Sequence, residues 1–138
     1  MGIERAAGPL REQVQLLDVL VIDDEELVTN LVQELLRTRL AWQVEPVHDG
    51  HQGIQRLEQG PFDLVITDLH MPGLDGFAVL GWIREFRPAL LPKVLVITGD
   101  SGSQSMDLEL LSMGIPVLPK PFTPDELIEA CQKVLAVV

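Results

Sequence analysis

FDLVITDLHMPGLDGF, residues Phe62 to Phe77, holds the pattern of the whole chain in miniature: a short apolar run, one acid at its end, a turn and a helix start. Phe62 to Thr67 reads as a strand, being short and almost wholly apolar. Asp68 closes it. His70-Met71-Pro72-Gly73 has turn composition. Gly76 to Phe86 then places Phe77, Leu80 and Ile83 on one helical face. The same alternation extends in both directions. Asp18 to Ile22 (DVLVI), Trp42 to His48, Val94 to Thr98 (VLVIT) and Ile115 to Leu118 read as strands. Helices are expected at Glu25 to Leu40, Gly50 to Gln59, Ser105 to Met113 and from Thr123 to the C-terminus. In the first, Leu27, Leu31 and Leu35 and also Val28, Val32 and Leu36 recur at helical spacing. In the second, Ile54 and Leu57 point inward and Gly60-Pro61 is the stop. The last opens on Thr123-Pro124-Asp125-Glu126, a capping residue, a proline in the first turn and a glutamate placed for a capping box. Leu127, Cys131, Val134 and Val138 form its inward stripe.

Five strands thus alternate with five helices. Runs as apolar as DVLVI, DLVIT and VLVIT suit parallel strands covered on both faces, because alternating connections put helices on each side. Right-handed crossovers restrict such a chain to a few doubly wound sheets. The 138 residues suit one domain, and 46% hydrophobic residues with a mean hydropathy of +0.22 supply a core. The formal charge of −11 argues against direct contact with nucleic acid or an anionic membrane. A single cysteine, Cys131, allows no internal disulfide and no Cys-x-x-Cys metal site, and its place on the inward stripe makes it a small buried apolar residue. With no membrane-span or signal-peptide run, the expectation is a cytoplasmic protein. Residues 1–17 differ in character, broken by Gly8-Pro9 and carrying Leu10, Val14 and Leu17 at helical spacing. They are read as a tail or linker ahead of a domain over 18–138, with a dimer contact as the alternative.

The chemistry-bearing residues follow strands. Asp23 and Asp24 follow the first, Asp68 the third, Thr98 closes the fourth and Lys120 follows the fifth. In an open parallel sheet these ends share one edge, and ligands bind where the strand order reverses. If the order is 2-1-3-4-5, strands one and three are neighbours there and Asp23, Asp24 and Asp68 converge. Like-charged carboxylates about 4 Å apart repel by up to about 4 kcal/mol per pair at an effective dielectric of about 20. Either some protonate or a cation enters, and a few hard oxygen ligands favour Mg²⁺. A nucleophilic carboxylate, a metal, the Lys120 cation and the Thr98 hydroxyl together suit an acyl phosphate. Taken singly the same residues have plainer readings: Asp24 as a helix N-cap, Asp68 as a turn residue, Thr98-Gly99-Asp100 as the start of a loop. His48, His51 and His70 read as surface or loop residues rather than a metal triad, and Trp42 and Trp82 as packing or partly exposed residues. Asp100 to Ser105 reads as a polar loop before the fourth helix.

Four segments in order, VLVIDDEE (Val19 to Glu26), DLVITDLHMPGLDGF (Asp63 to Phe77), VLVITGD (Val94 to Asp100) and LPKPF (Leu118 to Phe122), make the chain resemble a response-regulator receiver domain of two-component signalling over Asp18 to Val138. The resemblance implies a CheY-like five-stranded parallel sheet in the order 2-1-3-4-5, with helices on both faces. It implies that Asp68 accepts phosphate from the phosphohistidine of a sensor histidine kinase or phosphotransfer protein. It implies that Asp23, Asp24, Asp68 and the backbone carbonyl of His70 arrange Mg²⁺, that Lys120 pairs with the phosphoryl group, and that Thr98 bonds a phosphoryl oxygen and carries the switch. The Lys120-Pro121 bond is expected to be cis. Output would be altered protein binding around the fourth helix, fifth strand and fifth helix, to an unidentified target, an output domain or a second copy.

Several positions depart from the family or tune it. Val117 stands where an aromatic that rotates on activation is common, so a threonine-and-aromatic switch cannot operate in its usual form. Gly99 leaves room beside Thr98. His70 and Asp100, each two residues beyond a site residue, are expected to flank the phosphoryl group and tune the access of water. Two other readings are weighed. A metal-dependent phosphatase working through an aspartyl-phosphate usually has a second Asp where His70 stands, and the chain lacks room for a large cap. A degenerate receiver serving only as an interaction module fits poorly with the full acid, threonine and lysine set. The expectation is therefore a protein that catalyses only its own phosphorylation and dephosphorylation.

Overall fold

The computed structural model describes residues 16–99, 109–110 and 112–136. Its parallel sheet runs β2-β1-β3-β4-β5, with β1 at Asp18–Ile22, β2 at Gln43–Val47, β3 at Leu64–Thr67, β4 at Val94–Thr98 and β5 at Val117–Pro119. Helix α1 (Glu26–Leu40) joins β1 to β2, α2 (Gly50–Gln59) joins β2 to β3, and α3 (Gly76–Phe86) with a 3₁₀ segment (Pro88–Lys93) joins β3 to β4. Helix α4 (Pro124–Ala136) closes the chain of elements. In the crossover from β4 to β5, Glu109, Leu110 and Ser112 are helical. Residues 105–108 and 111 of the helix expected over 105–113 lie outside the described residues, as do residues 1–15, the loop expected over Asp100 to Ser105, and Val138, while Met113 is in a turn.

Strand alternation divides the core into two layers. Leu20, Ile22, Val65, Val94 and Val96 face Leu57 of α2, Val79, Leu80 and Ile83 of α3, and Leu110. Val19, Val21, Leu64, Ile66, Leu95 and Ile97 face Val32 and Leu36 of α1 and Leu127, Cys131 and Val134 of α4. The fold is therefore the doubly wound sheet the sequence led to. In α1 the two candidate stripes separate: Val32 and Leu36 are buried, whereas Leu27 is 85% exposed and Leu31 43% exposed. Propensity cannot choose between stripes one residue apart; burial against the sheet does. Trp42 is a core residue, while Trp82 is partly buried, with the Phe86 ring 5.4 Å away and the Arg87 guanidinium 5.6 Å from its centroid.

Local signals fix the helix starts. Thr123 and Glu126 form the expected capping box, with Glu126 N–H donating to Thr123 Oγ1 (3.1 Å) and Thr123 N–H to a Glu126 carboxylate oxygen (2.8 Å). Asp49 caps α2 and Asp75 caps α3 through their side chains. Neither Asp23 nor Asp24 caps α1. Its cap position is Glu25, so the helix begins at Glu26, one residue inside the expected start, and no side chain caps it.

Candidate phosphoacceptor site

Backbone pairing brings the acids together. The Asp68 N–H donates to the Ile22 carbonyl (2.9 Å) and the Asp23 N–H to the Val47 carbonyl (3.1 Å), which carries the ladders one step beyond the strands. Asp23 and Asp68 therefore leave adjacent strands side by side, at the point where the order reverses. On the other side of β3, the Lys120 N–H donates to the Thr98 carbonyl (3.0 Å), which brings the β5 end to the same edge. Behind Asp68 the chain turns tightly enough that the Gly76 N–H reaches the Leu69 carbonyl (2.9 Å).

The Asp68 carboxylate is 6% exposed. Its Oδ1 accepts from the Leu69 N–H (2.7 Å) and the His70 N–H (3.3 Å), and its Oδ2 from Lys120 Nζ (3.0 Å). Asp23, 1% exposed, accepts from the Glu25 N–H through Oδ1 (2.9 Å) and meets Lys120 Nζ through Oδ2 (3.0 Å). Lys120 Nζ makes a third contact, 2.6 Å to Glu25 Oε1. One ammonium thus contacts three carboxylates. Burial alone pushes the lysine pKa down, but its bonds to Glu25, Asp23 and Asp68 outweigh burial and hold it above its ordinary value. At Asp23 burial dominates and raises the carboxyl above its ordinary value, against the opposing bonds from Glu25 and Lys120.

Among the described residues the group able to hold a metal ion is Asp23, Glu25 and Asp68, whose ligand atoms lie within 4.8 Å of one another. Its donors are all carboxylate oxygens, as a small hard divalent cation requires, and the negative charge exceeds what Lys120 balances. The residues present fit Mg²⁺. Asp24 is exposed and lies outside that group. Glu25 belongs to that group, a residue the sequence did not single out. The available signal was the run of four acids from Asp23 to Glu26, since residues two apart at a strand-to-helix turn can aim at one point.

The remaining candidates distribute around this hollow. Thr98 is buried at the end of β4. His70 is exposed, with its N–H on Asp68. A Cβ added at Gly99 would meet no described atom within 4 Å. Val117 is half-buried in β5, paired with Val96. The Lys120–Pro121 bond is cis. Asp100 lies outside the described residues. His48, His51 and His70 join no metal-binding group among those residues.

Comparison with known proteins assigns the class. The chain matches the response regulator receiver domain family over residues 19–132, and it belongs to that family. It is 30% identical over 119 residues to the chemotaxis protein CheY-3 of Vibrio cholerae, covering 86% of this chain and 91% of that one. It is 32% identical over 120 residues to the transcriptional regulatory protein ZraR of Salmonella typhimurium, covering 87% of this chain and 26% of ZraR, so it spans about a quarter of that relative's length. The solved structure of Vibrio cholerae chemotaxis protein CheY4, crystallised at low pH, is 27% identical with a TM-score of 0.79, and the match covers 88% of this chain and all of that one. The chain is thus a receiver domain of a two-component response regulator. No helix among the described residues is long and apolar enough to cross a membrane.

Proposed function

We propose that this receiver is a phosphorylation-controlled switch with Asp68 as phosphoacceptor. The observation that carries it is the meeting of Asp68, Asp23 and Lys120 at one strand edge, with Nζ 3.0 Å from both aspartates. In the reaction an Asp68 carboxylate oxygen attacks the phosphorus of a phosphohistidine on a sensor kinase or phosphotransfer protein. A P–O bond forms as the P–N bond breaks, and the imidazole leaves with the electron pair of that bond. As the family resemblance implies, Asp23, Asp24, Asp68 and the His70 carbonyl would hold Mg²⁺, which would lower the repulsion between carboxylate and phosphoryl group. Donation from the Leu69 N–H fixes the Asp68 carboxylate, leaving Oδ2 on the Lys120 side. Lys120 meets the added charge and Thr98, one strand away, answers with its hydroxyl.

Ligation redistributes only states that it binds unequally, so the switch works by drawing Thr98 and Lys120 toward the phosphoryl group. The output is changed protein binding around the segment from Ser101 to Met113, β5 and α4, to a downstream target, an attached output domain or a second copy. Val117 in β5 offers no ring to rotate, which leaves Thr98 and Lys120 as the groups that respond. The protein acts on no external substrate, and its setting is the cytoplasm. Incubation with Mg²⁺ and a small phosphodonor should add one phosphoryl mass, labile in base and mapped to Asp68. Absence of the adduct, or unchanged labelling of Asp68→Asn, would reject the assignment. Retained partner binding without Mg²⁺ binding would favour a degenerate interaction module.

A further inference from the structure

Glu25 stands apart from the other acids of the hollow. Asp23 and Asp68 are almost fully buried, whereas the Glu25 side chain is 60% exposed and yet makes the shortest contact with Lys120 Nζ, at 2.6 Å. Its backbone is committed to the first turn of α1, where the Glu25 carbonyl accepts from the Val28 and Thr29 N–H groups (3.0 and 3.2 Å) and its own N–H is held by Asp23. The side chain does not cap the helix. It reaches outward instead, across 95 positions of sequence, to the lysine that follows β5.

We infer that Glu25 is a positioning residue: it holds the Lys120 ammonium at the rim of the hollow and competes for it with any anionic group added to Asp68. The inference rests on the phosphoacceptor reading above. Its physical basis is that an ammonium has three donors, all of which the structure engages with carboxylates. A phosphoryl group on Asp68 needs at least one of them. Asp23 is buried and loses most if its partner leaves, because an unpaired buried charge is costly. Glu25 is exposed, so water replaces the lysine there at small cost. The Glu25 contact is therefore the one that yields, and its strength sets how readily Lys120 turns to the anion. Exposed pairs of this kind shift an equilibrium by about two- to fivefold.

The test is a pair of double-mutant cycles with Glu25→Gln, Lys120→Met and the double variant. In metal-free protein, urea unfolding reads the contact itself; a coupling of about two- to fivefold in the folding equilibrium is expected. In saturating Mg²⁺, titration with beryllofluoride, an anionic mimic of the phosphoryl group, reads the competition. E25Q should bind it two- to fivefold more tightly than the wild type, and this gain should vanish in the Lys120→Met background. Zero coupling in the metal-free cycle overturns the inference. A gain that persists without Lys120 also overturns it, because Glu25 would then act by its own charge and not through the lysine. Should Lys120→Met fail to fold, NMR of the lysine ammonium in wild type and E25Q reads the same contact, and an unchanged signal is a refutation. If no protein takes up beryllofluoride while the metal-free coupling is present, it is the assignment of Asp68 that falls, and the competition with it.

Discussion

Two glycines of α3 should respond to alanine in opposite directions. Helix propensity alone makes Gly76→Ala and Gly81→Ala both favourable, by about 0.5–1 kcal/mol each in a helix interior and less in the first turn. At Gly81 a Cβ meets no described atom within 4 Å, so the gain should be realised. At Gly76 the Cβ would stand 2.1 Å from the Asp68 carbonyl oxygen, 2.7 Å from Leu69 Cα and 2.9 Å from the Asp68 carbonyl carbon. Ordinary contact begins near 3.4 Å, and all three atoms are backbone, so no rotamer change relieves the overlap. The loop after β3 must retreat from α3 by about an ångström. Overpacking of this kind costs about 1–3 kcal/mol, more where the neighbours cannot yield. The expected net effects are a loss of about 1–2 kcal/mol for Gly76→Ala and a gain of about 0.5–1 kcal/mol for Gly81→Ala. With a urea m-value of about 1–3 kcal/mol/M, the two midpoints should separate by roughly 1 M. Because the retreating atoms belong to Asp68 and Leu69, Gly76→Ala should also slow labelling by a small phosphodonor about ten- to a hundredfold, as misplacement by an ångström does. A Gly76→Ala protein with wild-type midpoint and labelling rate would refute the close approach.

Further outcomes follow from the same structure. Burial pushes the Cys131 thiol up to about 12, so thiolate is scarce at pH 8; iodoacetamide should modify the native protein far more slowly than the urea-unfolded chain, and equal rates would contradict a buried thiol. Since the folded value lies above the ordinary 9.0, this group contributes stability below about pH 9 that is lost as pH rises toward 12. Leu95→Ala, at a fully buried centre of β4, should cost about 2–5 kcal/mol by urea unfolding, whereas Leu27→Ser, at an 85% exposed position, should stay within about 0.5 kcal/mol. Mg²⁺ at a hundred times its dissociation constant should raise the unfolding free energy by about 2.7 kcal/mol, an increment absent in Asp23→Asn. Because burial raises the Asp23 carboxyl above its ordinary 3.8, protons should displace Mg²⁺ on acidification at a higher pH than for an ordinary aspartate, which calorimetric titration across pH can read.

The apolar strands were legible because burial on both faces leaves no polar alternation to obscure them, as in VLVIT at Val94 to Thr98, all five residues buried. Strand edges were less so. β2 begins at Gln43 and β3 at Leu64, each inside its expected start, and β5 is Val117–Pro119 where Ile115 to Leu118 was expected. Such edges are set by which neighbour offers a hydrogen-bond partner, and that neighbour is distant in sequence. The capping box of α4 was legible because both partners lie within three residues, while the choice between the Leu27-Leu31 and Val28-Val32 stripes was not, because it depends on how α1 rolls onto the sheet.

The sequence by itself determined the alternating order of elements, the family and the acids, threonine and lysine that follow the strands, since these are properties of short segments and of their succession. Only the tertiary structure decided which of the acids meet. Asp23 and Asp68 are joined because β1 and β3 are neighbours in the sheet. Asp24 faces solvent while Glu25 reaches Lys120: the run of four acids says only that carboxylates stand at this turn, and which of them meets the lysine follows from the backbone direction at the end of β1, which packing sets.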